Sequence, residues 1–158
     1  MNFRYILIII IFISSCTPPG YLRTKKIIFF EDKRPEIIET AEKYIGSMYK
    51  EGGSGPGGFD CSGFTKFVYQ KNNLNIPRNA SDQFYSGQRI PLEDAQPGDL
   101  VFFRINSYRI SHVGIYVGNL RFIHSPSEGK TVSYSSLKNK YWRRRYAGSV
   151  TYFSERIE

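Results

Sequence analysis

Residues 112–124 read His-Val-Gly-Ile-Tyr-Val-Gly-Asn-Leu-Arg-Phe-Ile-His. The stretches 112–118 and 121–124 are rich in branched and aromatic residues, and Gly118-Asn119 between them is typical of a hairpin turn. We therefore predict two antiparallel strands, with His112 opening the first and His124 ending the second. If the strands pair, the two imidazoles can point at the same end of a sheet.

Further short apolar segments surround this hairpin and extend the predicted sheet. A turn at 97–99 precedes the apolar strand 100–103, and later strands are predicted at 131–134 and 148–153, with one helical turn at 136–142. Several closely spaced strands without long helices between them indicate a mostly antiparallel sheet.

The first half of the chain predicts helices. Pro35 suits the first position of a helix, whose apolar face would hold Ile37, Ile38, Ala41, Ile45 and Met48. Asp60 is a suitable N-cap for a helix beginning at Cys61, and a short helix is predicted at 81–85. The glycine-rich segment 51–58 is expected to be a loop beside a cleft. The predicted fold class is α+β, with N-terminal helices packed on a mostly antiparallel sheet.

The chain begins with a segment typical of export. Arg4 precedes an apolar run too short to span a bilayer, and Ile13-Ser14-Ser15-Cys16 resembles a bacterial lipobox. We expect a lipoprotein signal peptide at 1–15, a lipidated tether at 16–32 and a catalytic domain at 33–158. An ordinary secretory signal is the alternative. Thr17 after the cysteine favours an outer-membrane anchor facing the periplasm.

Composition and net charge indicate which classes of molecule the protein can bind. The chain has 158 residues, 41% of them hydrophobic, which suits one packed domain, and its net charge is +8. A basic exported protein is expected to meet the anionic polymers and lipid headgroups of the envelope rather than nucleic acid. The run Arg143-Arg144-Arg145 can add to this attraction, although a solvated charged face commonly explains such a run.

The chain has two cysteines and two histidines, so its chemistry has few candidates. If Cys16 is acylated, Cys61 remains as one thiol in an exported protein, which favours a catalytic role. The positive end of a helix can lower a thiol pKa, and His112 or His124 could serve as the base. The alternatives are a Cys16–Cys61 disulfide, buried structural roles, and a zinc site that lacks the usual paired spacings. No metal or cofactor is expected.

Six motifs in order carry a family resemblance over most of the expected domain. They are Met48-Tyr49 with Gly52-Gly53, Phe59-Asp60-Cys61-Ser62-Gly63-Phe64, Ile76-Pro77-Arg78, Gln96-Pro97-Gly98-Asp99-Leu100-Val101-Phe102-Phe103, His112-Val113-Gly114-Ile115-Tyr116-Val117-Gly118 and Phe122-Ile123-His124-Ser125. In this order the motifs resemble those of NlpC-type (NlpC and P60 superfamily) cell-wall cysteine peptidases of the papain-like class.

The resemblance implies a role for each site residue. Cys61 would be the nucleophile, His112 the general base and His124 the residue that orients the base. The Tyr49 hydroxyl and the Cys61 backbone N–H would hold the oxyanion. Arg78 could bind a substrate carboxylate, and a structural salt bridge near the cleft is an equal alternative.

The function implied is hydrolysis of amide bonds in peptidoglycan stem peptides or cross-links through an acyl-thioenzyme. Short lipoproteins of this family resemble Spr-type endopeptidases, although the sequence leaves the scissile bond open. The alternatives are a non-catalytic wall-binding lipoprotein and acyl transfer to an amine. We expect a monomer attached to the membrane through an N-terminal lipid.

Overall fold

A computed structural model describes residues 33–105 and 108–153. Its helices are α1 (Arg34–Lys43), α2 (Cys61–Lys71), α3 (Ala80–Ser86) and α4 (Lys140–Arg145), and a 3₁₀ turn spans Leu92–Asp94. Its strands are β1 (Ser54–Gly55), β2 (Gly58–Phe59), β3 (Gln88–Ile90), β4 (Leu100–Phe103), β5 (His112–Gly118), β6 (Arg121–His124), β7 (Ser133–Ser136) and β8 (Tyr146–Thr151).

Six of the strands form one sheet. Their order is β3-β8-β4-β5-β6-β7, and every neighbouring pair is antiparallel. The predicted hairpin of β5 and β6 is present, with positive φ angles at Gly118 and Asn119 in its turn. The α+β class and the antiparallel sheet are confirmed.

The central strands are buried on both faces, which explains their nearly continuous apolar runs. Along β4, Leu100 and Phe102 pack with the helices α1 and α2, because successive side chains of a strand point to opposite faces. Val101 and Phe103 point the other way, into a smaller cluster with Phe122, to which Trp142 of α4 also packs. The sheet therefore lies between α1 and α2 on one side and α4 on the other.

Helix α1 is shorter than the predicted apolar face. It ends at Lys43, and Ile45 and Met48 are 41% and 57% exposed. Gly46 adopts a φ of +88° and donates its N–H to the carbonyl of Val132 at 2.9 Å, which turns the chain out of the helix. The segment after it runs extended, so a helical periodicity no longer applies there.

Four other segments differ from the sequence prediction. The glycine-rich segment contains the small hairpin β1–β2 rather than only a loop, and β3 was not predicted. Strand β7 begins two residues later than expected, and α4 replaces the helical turn predicted at 136–142, so β8 begins at Tyr146. The N-cap Asn139 fixes the start of α4, because its Oδ1 accepts the N–H of Tyr141.

The expected signal peptide, the tether and Cys16 lie outside the described residues. Within residues 33–105 and 108–153, no helix is long and apolar enough to cross a membrane.

Candidate active site

Cys61 is the first residue of α2, and its neighbours fix the start of that helix. The N-cap Asp60 accepts the N–H of Gly63 at 2.6 Å through Oδ1, as the sequence predicts. Arg78 forms a bidentate ion pair with the Asp60 carboxylate and also donates to Ser62 Oγ at 3.0 Å. The residues on both sides of Cys61 are thus fixed, Asp60 by its N-cap bond and by Arg78, and Ser62 by Arg78.

The glycine-rich segment lies directly against this helix start. Gly53 accepts the N–H of Asp60 at 3.0 Å, and a Cβ placed on Gly63 would lie only 2.0 Å from the Gly53 oxygen. Gly63 is therefore required because the loop backbone passes where a side chain would be. Around this loop lies an open cavity of about 320 Å³, lined by Lys50, Glu51, Gly52, Gly53, Ser54, Gly55, Gly57 and Gly58.

The two histidines meet on the α4 side of the sheet. His112 opens β5 and His124 ends β6, as predicted, and the Nε2 atom of His112 lies 2.8 Å from Nδ1 of His124. The residues are diagonal neighbours rather than a directly opposed pair, since Ile115 pairs with Ile123 in this register. Both are buried, with exposed fractions of 5% and 1%.

His124 has a second partner that the sequence does not reveal. Its Nε2 lies 3.0 Å from Ser135 Oγ on β7. We assign the tautomer in which Nε2 of His124 donates to Ser135 Oγ and Nδ1 accepts from His112, because it leaves the Nδ1 of His112 unprotonated; the two distances also fit the reverse assignment. The Nδ1 of His112 then remains available for another group.

The Cys61 sulfur lies at the beginning of β5, against the backbone of Ser111 and Val113 on either side of His112. It is 4.0 Å from the carbonyl oxygen of Ser111, and the backbone N–H of Val113 is directed at it. The thiol is free and partly exposed. The helix layer therefore supplies the sulfur, while the end of the sheet supplies the imidazoles.

The pKa shifts differ from the sequence expectation of a lowered thiol pKa. Burial, followed by the charge of Asp60, raises the pKa of Cys61, and these effects outweigh the lowering by backbone N–H groups of Val113, Ser62 and Cys61 itself. Burial lowers the pKa of His112 to about 4 and also lowers that of His124. These shifts favour an uncharged Cys61 thiol and uncharged imidazoles of His112 and His124 at neutral pH.

An aromatic group encloses both imidazoles. Trp142 stacks on His112 at a centroid distance of 5.4 Å and meets His124 edge-on at 4.8 Å. Phe103 and Phe122 complete the enclosure, each contacting one of the histidine rings. These rings desolvate the histidines, which accounts for the lowered pKa values.

The backbone of Tyr49 is fixed by two neighbouring segments of the chain. Its N–H donates to the carbonyl of Lys130 at 2.9 Å, and its backbone bridges to Phe59. Its phenol is close enough to Cys61 for a thiolate charge to raise the phenol pKa, after larger contributions from burial, Glu51 and Asp60. The hydroxyl makes no hydrogen bond within the described part of the chain, so it can donate to a ligand.

The Arg78 guanidinium forms the salt bridge that the sequence left as one of two alternatives. Its hydrogen bond to Asp60 raises its pKa, and about a third of its side chain is exposed. No contact within the described residues tests a role of Arg78 in binding substrate, which stays a prediction.

Two residues of the site, Ser135 and Trp142, were missed as partners of the histidines. Ser135 lies in the polar run Ser133-Tyr134-Ser135-Ser136, which carries no signal for its pairing with β6. Trp142 is the sole tryptophan of the chain, and its rarity was the one available hint. Among residues 33–105 and 108–153, no three His, Cys, Asp or Glu side chains are placed to hold a metal ion.

A thiol at a helix start facing histidines at the end of an antiparallel sheet defines a papain-like domain. The chain belongs to the NlpC/P60 family, whose model matches residues 46–151. The resemblance seen in the sequence is thereby confirmed.

Named relatives and a solved structure support this assignment. The chain is 45% identical over 112 residues to a probable endopeptidase p60 of Listeria innocua, covering 71% of this chain and 23% of that protein. It is 42% identical over 110 residues to the murein DD-endopeptidase MepH of Escherichia coli, covering 66% of this chain and 41% of MepH. A Staphylococcus aureus Mu50 structure, described as similar to lipoprotein and of the NLP/P60 family, aligns with a TM-score of 0.69 at 35% identity, over 84% of this chain and 44% of that one. The chain therefore spans less than half the length of each.

Proposed function

We propose that this protein is a cysteine peptidase that hydrolyses amide bonds in peptidoglycan peptides through an acyl-thioenzyme. The observation that carries the proposal is the hydrogen-bonded series His112–His124–Ser135 beside the segment that the Cys61 sulfur contacts. When His124 donates to Ser135, the Nδ1 atom of His112 is left to accept the thiol proton. A nucleophile, a base and a group that orients the base are the parts that acyl transfer needs.

In the first half-reaction, His112 Nδ1 takes the proton of the Cys61 thiol as the sulfur attacks the amide carbon. The imidazolium keeps its Nε2–H bond to His124, which limits the movement of the ring. It then returns the proton to the leaving amine, the C–N bond breaks and a thioester remains. In the second half-reaction, His112 activates a water that releases the acyl group as a carboxylate and regenerates the thiol.

The oxyanion of each tetrahedral intermediate would lie between the Cys61 backbone N–H and the Tyr49 hydroxyl. The first group is one of the N–H groups at the start of α2 that have no carbonyl partner within the helix, and the second has no partner among the described residues. Losing one such donor typically costs about 10²–10³ in rate, so Tyr49→Phe should lower the rate without abolishing it.

The names of the relatives support the substrate class. MepH is named as a murein DD-endopeptidase and the Listeria protein as an endopeptidase, and both match the domain described above. A Spr-like endopeptidase acting on cross-links is consistent with MepH, and cleavage within one stem peptide is the other option.

Digestion of soluble muropeptides tests the activity. Full-length protein in neutral detergent is incubated with monomeric and cross-linked muropeptides, and products are identified by mass spectrometry. We expect new peptide termini that Cys61→Ala does not generate, and the fragment masses identify the bond. Intact muropeptides would refute hydrolysis, and binding without cleavage would favour the non-catalytic wall-binding alternative. A product joined to an added amine would indicate acyl transfer instead.

We further propose that Cys16 is acylated and anchors a monomeric protein to the outer membrane, facing the periplasm. The support is Ile13-Ser14-Ser15-Cys16 at the end of an apolar run, followed by Thr17. Several acyl chains on one residue would give lasting attachment. Labelled palmitate should enter the wild type and not Cys16→Ala, and label in that variant would exclude this cysteine as the anchor. Membrane fractionation and light scattering test the location and the monomeric state.

A further inference from the structure

Positive charge is concentrated in one segment of the chain. Residues 33–128 contain eleven Lys and Arg against ten Asp and Glu, so their charges nearly cancel. Residues 129–153 contain six Lys and Arg and no acidic residue. Nearly all the net charge of the described domain therefore belongs to the stretch from the β6–β7 connection through α4 to β8.

Five of these six cations are exposed, and we call them the basic surface: Lys130, Lys138, Lys140, Arg143 and Arg144. None of the five forms an ion pair with another described residue. The sixth, Arg145, instead lies over the Tyr141 ring and donates to the Tyr141 carbonyl. The charges of the basic surface thus face solvent without a neutralising partner inside the described domain.

The basic surface adjoins the candidate active site at two points. Trp142, which stacks on His112, lies between Lys140 and Arg143 in α4. Lys130 accepts the Tyr49 N–H through its carbonyl, and its charge acts on His124. Three of the five cations are thus either near Trp142 along α4 or joined through the backbone to Tyr49, so part of the basic surface borders the residues of the site.

We propose that the basic surface docks the carboxylates of wall peptides that flank the bond being cleaved. This inference rests on the proposed function and adds to it a binding surface outside the catalytic groups. Single exposed ion pairs are worth only about 0.2–1 kcal/mol, so one contact would hold nothing. Several repeated carboxylates on one polymer, meeting five cations, give an additive and salt-sensitive attraction.

The basic surface suits carboxylates better than a phosphate polymer because the surface lies beside the candidate active site. The cations flank a site whose proposed substrate carries carboxylates along its peptides, so one strand can occupy both. A phosphate polymer would feel the same attraction but would compete with the substrate for space beside the site. Binding tests can separate these two sources of negative charge.

The test compares two variants that lose the same number and kind of charges. The surface variant is Lys138→Gln, Lys140→Gln, Arg143→Gln, and the control variant is Lys43→Gln, Lys71→Gln, Arg89→Gln, whose residues are exposed elsewhere. Both carry Cys61→Ala, so that bound wall is not digested. Full-length proteins in neutral detergent are sedimented with purified peptidoglycan sacculi from about 25 to about 300 mM NaCl, a range over which screening becomes strong.

At low salt we expect the surface variant to bind sacculi about tenfold more weakly than the protein that carries Cys61→Ala alone. The control variant should bind as tightly as that protein. The difference should shrink as salt is raised. Coupling the sacculus carboxylates to a neutral amine should remove the difference, whereas stripping phosphate polymers should leave it unchanged. Equal binding of the two variants overturns the proposal, and a difference that disappears only with the phosphate polymers overturns the carboxylate assignment.

A separate measurement distinguishes failure of docking from failure of the proposed function. With Cys61 intact, the surface variant should lose much less activity on small soluble muropeptides than on sacculi, because a muropeptide presents few carboxylates and the attraction of the surface is additive. It should digest intact sacculi more slowly at low salt. If the wild type cleaves neither substrate, the proposed function fails, while the binding comparison still decides whether the surface holds wall carboxylates.

Discussion

At the scale of single residues, Cys61 and His112 have opposite pKa shifts that favour the same state. Burial raises the thiol pKa and lowers the imidazole pKa to about 4, so both groups are neutral at neutral pH. The proton then moves as the sulfur attacks, rather than in advance. The helix start favours a thiolate, but desolvation and the Asp60 carboxylate oppose it more strongly.

Alkylation of Cys61 should report this neutral pair. We expect its rate with iodoacetamide to rise with pH through a midpoint above the usual thiol value of about 8.5, followed on the Cys61 peptide by mass spectrometry. A small free thiol measured in parallel provides the reference. A plateau of reactivity at pH 5–6 would indicate a preformed thiolate–imidazolium pair and contradict the prediction.

Ser135 is expected to be a positioning residue that acts through His124. In Ser135→Ala the Nε2–H of His124 loses its acceptor, so the other tautomer becomes available and Nδ1 stops accepting from His112. We expect kcat to fall about tenfold, with KM nearly unchanged. Loss of one hydrogen bond contributes about 1 kcal/mol, and the rest comes from molecules in which His112 is misoriented.

Two further variants separate positioning from general damage to β7. Ser135→Thr keeps the hydroxyl and should restore most of kcat. Ser136→Ala removes a neighbouring hydroxyl that donates to the Leu120 carbonyl, away from the histidines, and should leave kcat unchanged. If Ser135→Ala and Ser136→Ala have equal kcat values, Ser135 has no role in orienting His124.

At the scale of elements, the close approach of β5 and β6 depends on Gly114. A Cβ at this position would lie 2.6 Å from the Phe122 ring, 3.0 Å from the Ile123 oxygen and 3.2 Å from the His124 Cβ. We expect Gly114→Ala to lower the free energy of unfolding by about 1–3 kcal/mol and to displace His124 from His112. Urea unfolding and muropeptide kinetics measure the two effects.

Gly57→Ala provides the matched control for this substitution. No atom lies within 4 Å of the Cβ that it would add, and its backbone is not in the left-handed region. Its free energy of unfolding should stay within about 0.5 kcal/mol of the wild type. If Gly114→Ala is as stable as this control, the strands have room for a side chain and the packing argument is wrong.

The elements that could be predicted from sequence are those with a strong local pattern. Strands β4, β5 and β6 are rich in branched and aromatic residues, and Asp60 has the side chain of an N-cap, so these strands and the start of α2 were predicted in place. Strand β7 is a polar run whose register is set by pairing with β6, which lies nine or more residues away. The Ser135 contact depends on that register, so no local pattern could predict it.

At the scale of the whole molecule, the site exists only because two layers meet. The thiol comes from α2 on one face of the sheet, and the histidines lie with Trp142 on the other face. The family motifs name the residues on both sides, but their spacing does not show that α4 closes over the imidazoles. Because α4 covers the imidazoles, the histidines are buried as part of the core, and their protonation affects folding stability.

Folding stability should therefore fall in mild acid. His112 has a folded pKa of about 4, below its usual value of about 6.5, so above pH 6.5 both folded and unfolded chains hold it neutral. As the pH falls from about 6.5 toward 4, His112 binds a proton in the unfolded chain but stays neutral in the folded chain. For this residue, the free energy of unfolding therefore falls by about 3 kcal/mol. His124, whose pKa is also lowered by burial, acts in the same direction.

Urea unfolding at pH 7.5, 6 and 5 measures this loss. Between about pH 6 and 5 the unfolding free energy should fall by up to about 2–3 kcal/mol, since two histidines together take up nearly two protons on unfolding. His112→Asn removes one of the two titrations and should roughly halve the slope, whatever its effect on absolute stability. A wild-type stability that stays constant from pH 7.5 to 5 would mean that the imidazoles accept protons in the folded protein, and the enclosure by Trp142 would then be too open to keep them neutral.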